Sequence, residues 1–250
     1  MKFNKRIPKE LFKDEHYLGK PADFNDIIIQ RRVRLVKQIK DFTGKTLVDI
    51  GCGNGASILM LADQMSECTG LDIEASHKSV FEKYREQLSI TNCEFQVFNI
   101  EKEKLNKQFD RLISFEVIEH LEDEKNVKYF YEALKPGGIA AITVPNKWWI
   151  FETHGAKLPL LPWNRVPFFS WLPRPIHEKY ANARIYTKKR IKKLLTSIGF
   201  EVEQIKYITA PLDVLPDGFV KKSLQKFIFK NDTTSIPFLS TSIFIVARKK

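Results

Sequence analysis

The chain has 250 residues, 43% hydrophobic and 28% charged, with three cysteines and a formal net charge of +11. This apolar content is ordinary for a protein that buries a core without metal or disulfide staples, and it excludes a collagen, a coiled coil, a disordered chain and a disulfide miniprotein. Cys52, Cys68 and Cys93 include no C-x-x-C pair, so neither a disulfide framework nor a zinc knuckle is expected and a reducing compartment fits. The basic N-terminus, MKFNKRIPKELFKDEHYLGK, has no apolar run behind it, which argues against a signal peptide. Apolar stretches such as 238–246 fall short of the ~18–20 residues that cross a bilayer. A cytoplasmic chain is the expectation.

Residues 23–41 (DFNDIIIQRRVRLVKQIKD) space Ile27, Ile28, Val33, Leu35, Val36 and Ile39 as an amphipathic helix. Gly44-Lys45 ends it, and the apolar run 46–50 (TLVDI) reads as a first strand running into Gly51-Cys52-Gly53-Asn54-Gly55. A helix over 56–64, a strand over 68–73, a helix over 76–87 and a strand over 93–98 follow. Residues 109–115 (FDRLISF) give a fourth strand and 124–134 a helix. After the Lys135-Pro136-Gly137-Gly138 turn, 139–144 (IAAITV) gives a fifth strand. Strands alternating with helices are the rhythm of βαβ units and a parallel sheet, with right-handed crossovers lining the strand C-termini along one edge. Beyond residue 146 the character changes. Residues 147–186 hold all four tryptophans and no clear period, and then come a helix over 187–198 and strands over 200–208 and 242–248. The basic cluster Lys188, Lys189, Arg190, Lys192 and Lys193 reads as a solvated helix face, since no RNA-binding motif or zinc finger accompanies it.

A glycine loop between a first strand and a helix lets backbone approach a ligand closely, with helix N–H groups pointing at it. Gly51 to Ala56 even fits the dinucleotide pattern G-x-G-x-x-G/A, with Asp72 about 20 residues on. Three features oppose that reading. Asp49, two residues before the first glycine, would repel a pyrophosphate; Gly55 opens the loop further than a dinucleotide turn requires; and the C-terminal order of helix, strand, long excursion and strand inserts the last strand antiparallel to its neighbour.

Residues 46–56 (TLVDIGCGNGA), 70–74 (GLDIE), 109–121 (FDRLISFEVIEHL) and 134–146 (LKPGGIAAITVPN) together resemble the successive motifs of class I S-adenosylmethionine-dependent methyltransferases, in the subgroup of the quinone-biosynthesis O-methyltransferases. The resemblance covers residues 25–146 and the last two strands. It implies an α/β, Rossmann-like doubly wound seven-stranded sheet, its last strand antiparallel, with an aromatic-rich cap insertion. One domain is expected over 1–250: an extension (1–22), a cofactor-binding core (23–146), the cap (147–186) and a C-terminal part completing the sheet (187–250). By the same resemblance Gly51, Cys52 and Gly53 would face the amino-acid end of S-adenosylmethionine, and Asp49 would steady that loop. Asp72 would accept both ribose hydroxyls, for which a carboxylate is a suitable acceptor. Ile73 would pack on adenine, and Asn99 with Ile100 would read its edge. Phe115 would turn its carbonyl to the ammonium, and Arg31, with Arg32 as the alternative, would pair the cofactor carboxylate. Glu116, Glu119 and His120 read as a cap or packing at the start of the fourth crossover, and Cys52 as a small residue inside the turn.

Methyl transfer is an in-line displacement that needs two oriented reactants and excluded water. Amine-methylating enzymes of this class often carry an Asn/Asp-Pro-Pro-aromatic motif where this chain has Ser114-Phe115-Glu116-Val117, so a hydroxyl acceptor is favoured. The general-base candidates are His154 and His177, among Glu152, Glu178, Tyr180 and Tyr186. The spacing of His154, His177 and a carboxylate matches no recognised ligand pattern, so no metal is entered. The segment 148–173, with its Trp, Phe and Pro residues, reads as a lid or subdomain over a small-molecule, sugar or lipid-linked acceptor, with peripheral membrane contact as the second reading. An RNA methyltransferase and a non-catalytic cofactor-binding subunit are the rivals, nucleic acid being disfavoured, and the oligomeric state stays open.

Overall fold

In the computed structural model residues 24–152, 154–156, 167–216 and 218–250 are described; the expected N-terminal extension and residues 157–166 of the cap lie outside them. The strands are β1 (Thr46–Ile50), β2 (Glu67–Asp72), β3 (Cys93–Val97), β4 (Phe109–Phe115), β5 (Leu134–Pro145), β6 (Phe200–Thr209), β7 (Thr233–Thr234) and β8 (Ser240–Lys249). They form one sheet in the order β3-β2-β1-β4-β5-β8-β6-β7. Pairing is parallel from β3 through β5, and β8 inserts antiparallel between β5 and β6. The sheet therefore has eight strands where seven are expected. The addition is the two-residue β7, antiparallel on the outer edge of β6.

The helices are α1 (Ile27–Lys37), α2 (Ala56–Leu59), α3 (His77–Gln87), α4 (Lys128–Ala133), α5 (Arg174–Tyr180), α6 (Lys188–Ile198) and α7 (Phe219–Phe227). The period of two in the strands divides the core between the two faces of the sheet. Leu47, Ile113, Ile139 and Val246 pack with Val33 and Val36 of α1, Ile58 of α2 and Phe81 of α3. Val48, Leu112, Ala140 and Ile245 pack with Phe130 of α4 and Ile191 and Leu195 of α6. Each fully buried Val, Leu, Ile or Phe contributes about 1.5–3 kcal/mol, so both faces are firmly covered and the strand C-termini are left as the open edge.

Two expected helices are shorter than predicted. After α2 the chain tightens into three-residue bonds, with Leu61 N–H on Ile58 O and Gln64 N–H on Leu61 O. In the fourth crossover a 3-10 turn, Glu124–Val127, precedes α4, its start capped by Asp123 accepting from Lys125 N–H at 2.9 Å. β5 begins five residues early, at Leu134. Its register against β4 jumps from Phe109↔Leu134 to Arg111↔Ile139, which leaves Lys135-Pro136-Gly137-Gly138 looped out between the two pairings. The basic cluster on α6 is partly a structural face, since Arg190 bonds Glu124 at 2.6 Å and Glu178 at 2.9 Å. No helix among the described residues is long and apolar enough to cross a membrane.

Arg31 fastens α1 to the C-terminal excursion. Its guanidinium donates to Thr209 O at 2.6 Å, to Ala210 O at 3.0 Å and to Phe229 O, with Asp232 3.8 Å away. Burial lowers its pKa, and Asp232 offsets part of that. Arg31→Met should destabilise the chain by about 3 kcal/mol, because three inward carbonyls lose a charged donor. Urea denaturation followed by circular dichroism measures this; a loss below about 1 kcal/mol would show that the fastening is dispensable.

Candidate active site

β1 ends at Ile50, and the chain turns into α2 across the end of β2. Gly51 and Cys52 N–H donate to Leu71 O at 2.8 and 3.0 Å, and Gly53 N–H donates to Asp72 Oδ2 at 2.7 Å. Two glycines are required sterically. Gly51 has φ +74° and a Cβ there would lie 2.3 Å from Val117 Cγ2; Gly55 has φ +83° and its Cβ would lie 2.2 Å from the Phe81 ring. Left-handed backbone and close approach together admit no larger residue without strain. Cys52 is buried with its thiol pKa pushed up by burial and by Asp49, so it is an inert space-filler in the turn.

A cleft of about 490 Å³ opens along this edge, within the range of roughly 300–1,000 Å³ usual for small-molecule sites. It lies at the C-terminal ends of the parallel strands, where open α/β sheets bind ligands. Asp49, Gly51, Cys52, Gly53, Asp72, Ile73, Asn99, Ile100 and Phe115 all line it. Asp49 is buried, and burial, with the nearby charge of Asp72, raises its pKa. Asp72 has more structural work than the sequence suggests: besides holding Gly53, its Oδ1 accepts from Glu74 N–H at 2.9 Å and lies 3.3 Å from His77 Nδ1. Ile73 is half exposed at the cleft wall, 51%, while Ile100 is buried behind Asn99, whose Oδ1 accepts from Glu101 N–H at 2.9 Å.

Arg31 is not at the cleft. One residue along a helix turns the side chain by about 100°, and that turn sends Arg31 to the β6 end described above while Arg32 reaches the cleft. Arg32 donates to Glu116 Oε1 at 2.9 Å, with its guanidinium 5.6 Å from the Phe115 ring centroid. Glu116 itself is in the left-handed region at φ +60°, a strained conformation for a non-glycine residue.

The two expected base candidates part company. His154 lines the cleft, whereas His177 is fully buried on α5, its Nε2 2.7 Å from Glu152 Oε2. Glu152 also accepts from His154 N–H at 3.1 Å, so His177 reaches the cleft only through the loop that carries His154. What His154 does meet is the turn after β4. Its ring lies 5.1 Å from that of His120, and its Nε2 lies 3.6 Å from Glu119 Oε1. Ligand atoms of Glu119, His120 and His154 all fall within 4.8 Å of one another. Burial, with the neighbouring His154 and Arg184, lowers the His120 pKa to about 3. Glu119 is pushed the other way, well above the usual carboxylate range, by burial and by Glu116. Sequence reasoning missed this grouping by reading Glu116, Glu119 and His120 as crossover residues. The available signal was an E-x-x-E-H run placed directly at a strand C-terminus, the ligand edge of such sheets.

A family model described as a methyltransferase domain matches residues 24–205. The ubiquinone biosynthesis O-methyltransferase of Rickettsia canadensis is 26% identical over 213 residues, covering 79% of this chain and 85% of that protein. The (S)-tetrahydroprotoberberine N-methyltransferase of Eschscholzia californica is 35% identical over 99 residues, which are 39% of this chain but 27% of that longer protein. Among solved structures, an S-adenosylmethionine-dependent methyltransferase from Mesorhizobium loti superposes with a TM-score of 0.62 at 16% identity, covering 91% of this chain and all of that one. The glycine turn, the carboxylates beside it and the inserted antiparallel strand are thus those of a known family: the chain belongs to the class I S-adenosylmethionine-dependent methyltransferases.

Proposed function

We propose that this methyltransferase transfers the methyl group to a hydroxyl oxygen of a small, partly apolar acceptor that enters between the glycine loop and the cap. The observation that carries the reading is the pair of carboxylates, Asp49 at 2% and Asp72 at 9% exposure, in the same cleft as His120 and His154. Two neighbouring acids in one cleft repel each other and any pyrophosphate, and a ligand bearing a sulfonium and an ammonium relieves both. The ribose would sit on Asp72, adenine against Ile73 and Ile100 with Asn99 at its edge, and the amino-acid end over Gly51–Gly53. Arg32 takes the place proposed for Arg31 as the partner of the cofactor carboxylate.

The acceptor oxygen is made nucleophilic at His154, losing its proton as it attacks the methyl carbon. The carbon–sulfur bond breaks with its electron pair on sulfur, leaving S-adenosylhomocysteine. The O-methyltransferase of R. canadensis, matched over most of both chains, supports an oxygen acceptor. The match to the plant N-methyltransferase covers only 39% of this chain and bears less on the acceptor side.

A second reading concerns where the acceptor is met. On α7, Phe219, Val220 and Phe227 are 85%, 66% and 71% exposed, interleaved with Lys221, Lys222 and Lys226. Its Leu224 packs on the cluster of Trp149, Leu212 and Phe229, which ties the helix to the cap. Exposed aromatic residues alternating with lysines suit an anionic membrane surface, from which a lipid-linked acceptor would be delivered.

Asp72→Ala should weaken S-adenosylhomocysteine binding at least tenfold by calorimetry, on the scale of about 1.5–3 kcal/mol for hydrogen bonds to a charged group; unchanged affinity in a folded variant refutes the ribose assignment. His154→Ala should lower kcat with labelled cofactor and cell extract on the order of 10²–10⁴-fold while leaving that affinity within about twofold. Intact turnover removes His154 from the chemistry. Phe219→Ser with Phe227→Ser should reduce co-sedimentation with phosphatidylglycerol vesicles severalfold, and equal sedimentation of both proteins counts against the membrane reading.

A further inference from the structure

We infer that His77 is a cofactor-binding residue: Asp72 accepts one ribose hydroxyl, and His77 Nε2 accepts the other. This rests on the cofactor placement proposed above, with the ribose at Asp72, and deepens it. Asp72 alone does not serve both hydroxyls.

The acceptor sites of Asp72 are nearly all taken. A carboxylate offers about four lone-pair sites on its two oxygens. Oδ2 takes Gly53 N–H at 2.7 Å, and Oδ1 takes Glu74 N–H at 2.9 Å. Of the two sites that remain, one is met by His77 Nδ1, 3.3 Å from Oδ1. An ionised carboxylate only accepts, so the proton between them belongs to Nδ1, and Nε2 of the neutral imidazole is then an acceptor. One carboxylate site is left for a vicinal diol whose two hydroxyls each seek an acceptor. His77 lines the cleft together with Asp72 and supplies the second.

The fold holds His77 there. Its N–H donates to Glu74 O at 3.2 Å, and Glu74 Oε1 accepts from Ser76 N–H at 3.3 Å, so the turn from β2 into α3 is bonded along its length. His77 opens α3, and Phe81 follows one turn later on the same helix face. Phe81 is fully buried, with its ring against the place where a Cβ on Gly55 would stand. The ring that confines the glycine turn therefore also anchors the helix that carries His77. Only 15% of the His77 side chain is exposed, so the imidazole is largely packed in place. Two acceptors on different elements then read the two hydroxyls separately. Loss of either hydroxyl leaves one acceptor unpaired, which selects a ribonucleoside over a deoxynucleoside.

The test is calorimetry on the full chain with S-adenosylhomocysteine and its 2′-deoxy and 3′-deoxy analogues. The proteins compared are the unaltered chain, Asp72→Ala, His77→Asn and His77→Gln. Asn keeps a donor near the Nδ1 position and brings no acceptor to the Nε2 position, whereas Gln reaches far enough to restore one. On the unaltered chain each analogue should bind about three- to tenfold more weakly than S-adenosylhomocysteine, the range of one neutral hydrogen bond. His77→Asn should weaken S-adenosylhomocysteine by a similar factor, and His77→Gln should bind it more tightly than His77→Asn does. One of the two analogues should bind His77→Asn and the unaltered chain within about twofold, because the hydroxyl it lacks is the partner of His77. Should His77→Asn not fold by circular dichroism, His77→Phe takes its place with the same expectation. Unchanged S-adenosylhomocysteine affinity in the His77 variant, or an equal loss for both analogues and the parent ligand, overturns the role of His77 while Asp72→Ala still weakens binding. Unchanged affinity in a folded Asp72→Ala overturns the ribose placement itself.

Discussion

Three backbone N–H groups leave β1 in succession, and the neighbouring strand satisfies all three: those of Gly51 and Cys52 on Leu71 O and that of Gly53 on Asp72. The turn cannot open without breaking these bonds, and it cannot close further because Val117 and Phe81 already touch the positions where Cβ atoms would stand at Gly51 and Gly55. The β1-to-α2 connection is therefore fixed from both sides, and with it the strand ends and the cleft wall. Asp72 is central to this arrangement. One oxygen holds the loop and the other holds the turn after β2, and the remaining lone pairs face the cleft. The glycine turn and the turn after β2 are thus coupled through one side chain at the cleft wall.

This double duty also bears on what can be read from residues alone. In the sequence Asp72 reads only as a ribose acceptor, and the backbone amides of Gly53 and Glu74 give it a structural part as well. Where local pattern decides structure the reading was close: β4 spans 109–115 as expected, its apolar residues alternating between the two faces of the sheet. Where a single rotation or a long-range contact decides, it was not. Arg31 and Arg32 are adjacent and chemically identical, and only the position of β6 and of the 229–232 segment selects which of them faces the cleft. β7 is two residues long, below the length at which alternation exists, and α7 buries no residue, so neither left a core-facing periodicity to find.

The same distinction explains the histidines. His154 and His177 look alike in sequence, each beside polar residues in an aromatic-rich stretch. Packing separates them: α5 buries His177 against Phe169 and Glu152, while the loop before Gly155 carries His154 to the turn after β4. The residues that His154 meets there, Glu119 and His120, are 34 or more residues away in the chain, and no spacing rule for local motifs connects them.

The cap meets the sheet through a few defined attachments, and these explain how a proline-rich segment can hold the His154 loop in place. Asn146 bridges Tyr186 at its two ends and Ala156 bridges Ala181, so the insertion leaves and rejoins the sheet at one point. Between those ends Glu152 is fully buried, accepting from His154 N–H at 3.1 Å and lying 2.7 Å from His177. A buried polar group of this kind is costly unless each partner is in place, so the geometry that satisfies Glu152 also fixes the backbone of His154. The wall of the cleft that His154 forms is therefore held by the same buried contacts that hold Glu152.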